Sequence, residues 1–77
     1  RPAQLQINQT GAWRGAMDFD AGEVPDEFME AADNLGRLCG SNLAMRIVVC
    51  EPSPNGRALP TRTALMTWSR EKGWVKA

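Results

Sequence analysis

Apolar and polar residues alternate along Leu5-Gln6-Ile7-Asn8. They alternate again from Leu43 to Cys50, where Leu43, Met45, Ile47 and Val49 share one parity and Ala44, Arg46, Val48 and Cys50 the other. A period of two predicts strands, because successive side chains then point to opposite faces. After the turn residues Gln9-Thr10-Gly11, the stretch Ala12 to Phe19 predicts a second strand, with Trp13, Met17 and Phe19 on one parity and Gly15 between them. Two such runs joined by a short loop read as a hairpin. A glycine inside a strand marks a bulge or a close approach by another element. The stretch Glu51 to Pro60 holds three prolines and Asn55-Gly56, which predicts a loop. Thr61 to Trp68 predicts a further strand, Ser69 to Gly73 a turn, and Trp74-Val75 a short stub that pairs back.

One segment has the helical period instead. Phe28, Ala31, Ala32, Leu35 and Leu38 recur as one apolar stripe, opposite Glu27, Glu30, Asp33, Asn34 and Arg37. Pro25 suits the first helical position, and Asp26 and Glu27 suit the positive end of the helix dipole. Val24, four residues before Phe28, has close to the spacing of a hydrophobic staple. Gly40 is the expected stop. Gly36 inside the helix costs roughly 1 kcal/mol against Ala, so a close backbone contact is expected there.

The predicted order is strand, strand, helix, strand, strand, with a stub. It implies an α+β fold: one helix packed on a small, mostly antiparallel four-stranded sheet, forming a single domain over residues 1–77. This ββαββ order resembles that of the β-grasp fold of ubiquitin-like and immunoglobulin-binding domains. The resemblance is one of element order, and it carries no function.

A chain of 77 residues buries only roughly 60 % of its unfolded surface, so an oligomeric partner would add useful stability. No stretch approaches the ~20 apolar residues of a membrane span, and no basic start with an apolar run marks a signal peptide. No membrane association and a cytoplasmic location are the expectations. The chain opens Arg1-Pro2, as a processed form or an excised domain would.

Charge changes the picture more. Seven of the nine acids, Asp18, Asp20, Glu23, Asp26, Glu27, Glu30 and Asp33, fall in one stretch that contains no basic residue. The rest of the chain holds nine basic residues against Glu51 and Glu71, so a net charge of zero conceals a dipolar molecule. That pattern favours a steered protein contact over wholesale neutralisation of phosphates.

Several chemistries are not expected. There is no histidine or tyrosine. Cys39 and Cys50 lack a histidine base, and Ser41, Ser53 and Ser69 lie in turns with no matching triad. Two cysteines without histidine do not make a four-ligand zinc site, and small buried thiols are the simpler reading. Asp18-Phe19-Asp20-Ala21-Gly22 lacks the register of a calcium loop. No glycine loop cradles a phosphate. An enzyme is not expected, and no cofactor or metal is implied.

Two surfaces remain. The sheet face opposite the helix is expected to show Ala12, Arg14, Ala16, Ala44, Arg46, Val48, Thr63, Leu65 and Thr67, a small-apolar mixture suited to being covered. With the acidic helix face it gives the expected protein-binding set: Glu27, Glu30, Asp33, Arg14, Arg46, Val48 and Leu65. The alternative surface is the basic C-terminal hairpin. There Arg62, Trp68, Arg70, Lys72, Trp74 and Lys76 interleave aromatics and cations, as single-stranded nucleic-acid binders do. A neutral net charge ranks that reading second. The expected function is a non-enzymatic module that binds a protein partner or forms a homo-oligomer.

Overall fold

The computed structural model describes residues 1–39 and 42–77. Five strands and one helix follow in the order β1 Pro2–Asn8, β2 Trp13–Asp20, a 3₁₀ turn Ala21–Glu23, α1 Asp26–Leu38, β3 Ala44–Pro52, β4 Ala58–Ser69 and β5 Gly73–Lys76. The strands form one sheet in the order β2-β1-β3-β4-β5, and every neighbouring pair is antiparallel. The α+β class and single helix agree with the sequence reading. The sheet is larger than expected, because the C-terminal stub is a full edge strand. The likeness to β-grasp domains stays one of element order, since this sheet contains no parallel pair. The expected helix stop at Gly40 lies outside the described residues. Among the described residues, no helix is long and apolar enough to cross a membrane.

The loop predicted over Glu51 to Pro60 contracts to a tight turn. Ser53 N–H donates to Arg57 O at 2.9 Å, Gly56 N–H donates to Ser53 O at 3.0 Å, and Gly56 takes φ 81°. Pairing continues through Pro52 and Pro60. Strand β1 runs alongside β3 only as far as Val49, so the far end of the β3–β4 hairpin projects beyond it. There the missing proline N–H costs no bond to β1.

The core lies between α1 and one sheet face. Ala3, Leu5, Met45, Ile47 and Trp68 from the sheet are buried against Ala32. Trp68 is 2 % exposed and its indole lies on Gly36. A Cβ at Gly36 would come 2.5 Å from Trp68 Cη2, so only glycine lets the helix approach this closely. The close contact expected at Gly36 is therefore present. The helix buries Ala32 and Gly36, while Leu35 is 57 % and Leu38 85 % exposed. The stripe predicted from Phe28, Ala31, Ala32, Leu35 and Leu38 is thus rotated: Phe28 and Ala32 pack on the core, but Leu35 and Leu38 do not form the buried seam.

Polar bonds fix that rotation. Trp68 Nε1–H donates to Asp33 Oδ1 at 2.8 Å, and Arg37 Nε donates to both Asp33 carboxylate oxygens at 3.0–3.1 Å. Trp74 Nε1–H donates to Met29 O at 3.2 Å. One Arg70 nitrogen donates to Cys39 O at 2.6 Å and to Gly36 O at 3.3 Å, placing a cation on the last carbonyls of α1. Met29, Asp33 and Arg37 therefore face β4–β5, and the larger apolar side chains are left on the opposite flank.

The Arg37 guanidinium and the Trp68 indole hold the Asp33 carboxyl below the ordinary aspartate range. A depressed folded pKa means that this stability is present above the unfolded value of ~3.9 and is lost as pH falls through the folded one. Melting temperature should therefore drop below about pH 4. Asp33→Asn should flatten that acid limb while lowering stability near neutrality. An unchanged acid limb in Asp33→Asn would remove Asp33 from the helix lock.

Candidate functional site

Strand β2 determines which surfaces are open. It pairs with β1 in one register from Pro2↔Asp20 to Leu5↔Met17, then shifts to Gln6↔Gly15, Ile7↔Arg14 and Asn8↔Trp13. The extra residue is Ala16, and a single-residue bulge moves every side chain beyond it to the other face. Met17 and Phe19 stay on the helix side with Leu5 and Ala3. Trp13, expected beside them, lies on the outer face, and Arg14, expected outside, lies on the helix side opposite Ile7. A second bulge at Leu65 separates the pairs Ile47↔Met66 and Val48↔Ala64. Leu65 is consequently not an outer-face residue. It lines a hollow under the helix with Phe19, Val24 and Met29.

The outer face is occupied by its own polar side chains. Arg46 Nε donates to Gln6 Oε1 at 2.8 Å, Gln6 Nε2 to Gln4 Oε1 at 3.0 Å, and Gln4 Nε2 to Asp18 Oδ1 at 2.8 Å. Arg46 has only donors and ionised Asp18 only acceptors, so the two ends dictate how both amides point. The chain of dipoles runs head to tail between a cation and an anion, which strengthens each bond. Arg46 also lies over the Trp13 ring, 4.1 Å from its centroid. Gly15 makes room for Gln4, since a Cβ there would come 2.8 Å from Gln4 Nε2. The glycine read as a bulge or a close approach thus accompanies both.

This arrangement redistributes the expected protein-binding residues. Arg46 is engaged on the outer face. Val48 has no exposed surface, so it offers nothing to a partner. Leu65 and Arg14 are on the helix side. Asp33 is half-buried and committed to Trp68 and Arg37. Glu27 and Glu30 are exposed as expected.

The nucleic-acid alternative loses its stacking surfaces. Trp68 is core, and Trp74 pairs with it on the helix side and donates to the helix backbone. Arg70 caps the helix. Arg62, Lys72 and Lys76 are exposed, but neither tryptophan is presented between them.

What stays open is the ground between α1 and β2. Phe28 packs on Phe19 of β2 with ring centroids 5.2 Å apart, and Cys39 Sγ accepts from Gln9 in the β1–β2 turn at 3.4 Å. Leu35 follows Phe28 by seven positions and precedes Cys39 by four, so it shares the flank that faces β2. Ala31 and Leu38 continue that flank toward solvent. Across from them, Met17 is 49 % exposed on the same side of the sheet. Strand β2 is also an edge: beyond β1 it pairs with no strand among the described residues, and seven of its eight residues are exposed. An unpaired strand beside an apolar groove is thereby assembled, with Glu27 on its rim, while Glu30 lies seven positions before Arg37 on the other flank of the helix.

Among the described residues, no group of three or more His, Cys, Asp or Glu could hold a metal. Burial pushes the Cys50 thiol up and nearby Asp18 adds to the effect, which disfavours the reactive thiolate. Asp20 is held low chiefly by the amide of Gly22, and secondarily by the N-terminal ammonium. That carboxylate caps the 3₁₀ turn. No disulfide joins Cys39 to Cys50.

No protein family's sequence pattern matches the chain, and no curated protein or solved structure matches it.

Proposed function

We propose that the protein is a non-enzymatic binding module that docks a protein partner on the β2 edge and the groove beside it. The observation that carries this reading is the exposed apolar set Met17, Leu35 and Leu38 lying next to an unpaired strand. A strand edge supplies main-chain bonds and a neighbouring groove supplies side-chain selectivity, the two parts of recognition by strand addition. Glu27 beside the groove and Asp18 and Asp20 at the end of β2 supply steering, as the uneven charge of the chain suggests. Core apolar, rim polar is the ordinary build of a protein interface.

The test is site-directed photocrosslinking in cells that express the protein naturally. A photoreactive phenylalanine analogue at Leu35 should give discrete protein adducts. The same group at Arg57, in the exposed β3–β4 turn, should give none. Absence of adducts from position 35, or equal adducts from both positions, would remove the groove as a docking site.

A further inference from the structure

We infer that the occupant of this groove is a second copy of the chain, joined β2 to β2 in antiparallel register about a two-fold axis. The inference rests on the docking reading above and commits it to one partner. Three observations carry it.

The first is the charge order along β2. Arg14 is near its start, and Asp18 and Asp20 are at its end. Antiparallel self-pairing sets the cationic end of each copy against the acidic end of the other, twice by symmetry. Parallel pairing would set acid against acid, so these charges also select the direction. Arg14 lies on the helix side and Asp18 and Asp20 on the outer face, so the attraction acts between the opposed ends of the seam, not through directly facing side chains.

The second is geometry. A two-fold axis through paired β2 edges keeps both helices on one side of the joined sheet. Each then turns its Leu35–Leu38 flank toward the seam, where Met17 of both copies also lies. Exposed apolar surface on the helix and exposed apolar surface on the strand are buried by one contact. The other sheet edge is a poorer candidate, because β5 has only four residues and the remaining open part, Ala58–Leu65 of β4, is interrupted by Pro60 and by shifts of register.

The third is area. The chain exposes 5343 Å², about 700 Å² more than the ~4,650 Å² expected of a compact monomer of 8.5 kDa. A standard interface buries about 800 Å² per partner. The excess is thus close to what one such contact removes.

Sedimentation equilibrium of the full chain tests the inference. A species of about twice 8.5 kDa should form between micromolar and millimolar concentration. Met17→Asp and Leu38→Glu, at exposed positions that leave the core intact, should each raise the dissociation constant about tenfold or more, with unchanged circular dichroism. Arg14→Glu alone and Asp18→Lys alone should each weaken dimerisation. Mixing these two variants at low salt should restore part of it, because the opposed strand ends then carry opposite charges again.

A chain that stays at 8.5 kDa throughout overturns the inference. So does a dimer indifferent to Met17→Asp and Leu38→Glu, or a mixture that associates no better than its components. The two readings separate cleanly. A strict monomer whose position 35 still crosslinks to another protein would refute the second copy and leave the groove as a docking site. Absence of adducts together with a monomer would refute both.

Discussion

Trp68→Ala should cost about 3–5 kcal/mol, the cost of emptying a large aromatic site in a packed core. Trp68 is 2 % exposed, joins Met45 and Ile47 beneath α1, and donates its indole N–H to Asp33. Removing the ring leaves Gly36 without the surface that the helix rests on. Native domains hold roughly 0.05–0.15 kcal/mol per residue, about 4–12 kcal/mol for 77 residues, so this change removes a large share of the stability. Urea unfolding monitored by circular dichroism should show no folded baseline or a midpoint displaced far toward zero denaturant. Trp74→Ala, at a half-buried position on the edge strand, should cost clearly less. A Trp68→Ala variant within about 1 kcal/mol of wild type would mean that helix and sheet do not meet through this ring.

Gly36→Ala should destabilise the protein although it improves the helix. In an exposed helix interior the change gains roughly 1 kcal/mol. Here the new Cβ would lie 2.5 Å and 2.7 Å from two indole carbons and 2.9 Å from Met45 Cε. A rigid ring cannot yield as a flexible side-chain end does, so the helix must lift. Forcing one carbon into such a core typically costs 1–3 kcal/mol, which outweighs the propensity gain. The net loss should reach about 2 kcal/mol. The cause is checked by a double-mutant cycle with Trp68→Phe. The smaller ring should make Gly36→Ala much less harmful, giving a coupling of about 0.5–3 kcal/mol. Additive effects, or a stabilising Gly36→Ala, would contradict the close approach.

Much of this fold is legible in the chain, and the failures have local physical causes. The alternation of Leu43 to Cys50 predicts β3 and its faces: Met45, Ile47 and Val49 point to the helix, and Arg46, Val48 and Cys50 point away. Gly15 and Gly36 both mark close approaches, as their positions suggest. Parity fails at Ala16 and Leu65, where one extra residue reverses the faces of all that follows. Trp13 therefore meets Arg46 outside the core, and Leu65 meets the core inside. Apolar bulk alone points to Leu35 and Leu38 as the helix seam. The seam is instead set by Trp68, whose large ring requires small residues opposite it and finds Ala32 and Gly36.

The candidate site was hidden for the same reasons. Its apolar members are residues that the periodicity assigns to the core, and their exposure follows from the rotation of α1. That rotation is fixed by the bond from Trp68 to Asp33, 35 positions apart, which no local pattern announces; the Arg37–Asp33 pair beside it is a local i,i+4 pair. The openness of β2 depends on sheet order, which places β1 rather than β2 next to β3. The uneven charge was legible throughout, and it supplies the direction of the inferred pairing.

Amide hydrogen exchange along β2, measured in dilute and in concentrated solution, tests the account most directly. In dilute solution the β2 amides that do not bond to β1 should exchange far faster than those of central β3. At concentrations where sedimentation shows the dimer, those same amides should become protected while β5 is unchanged. Unaltered β2 exchange in the dimer, or protection appearing on β5 instead, would contradict the account.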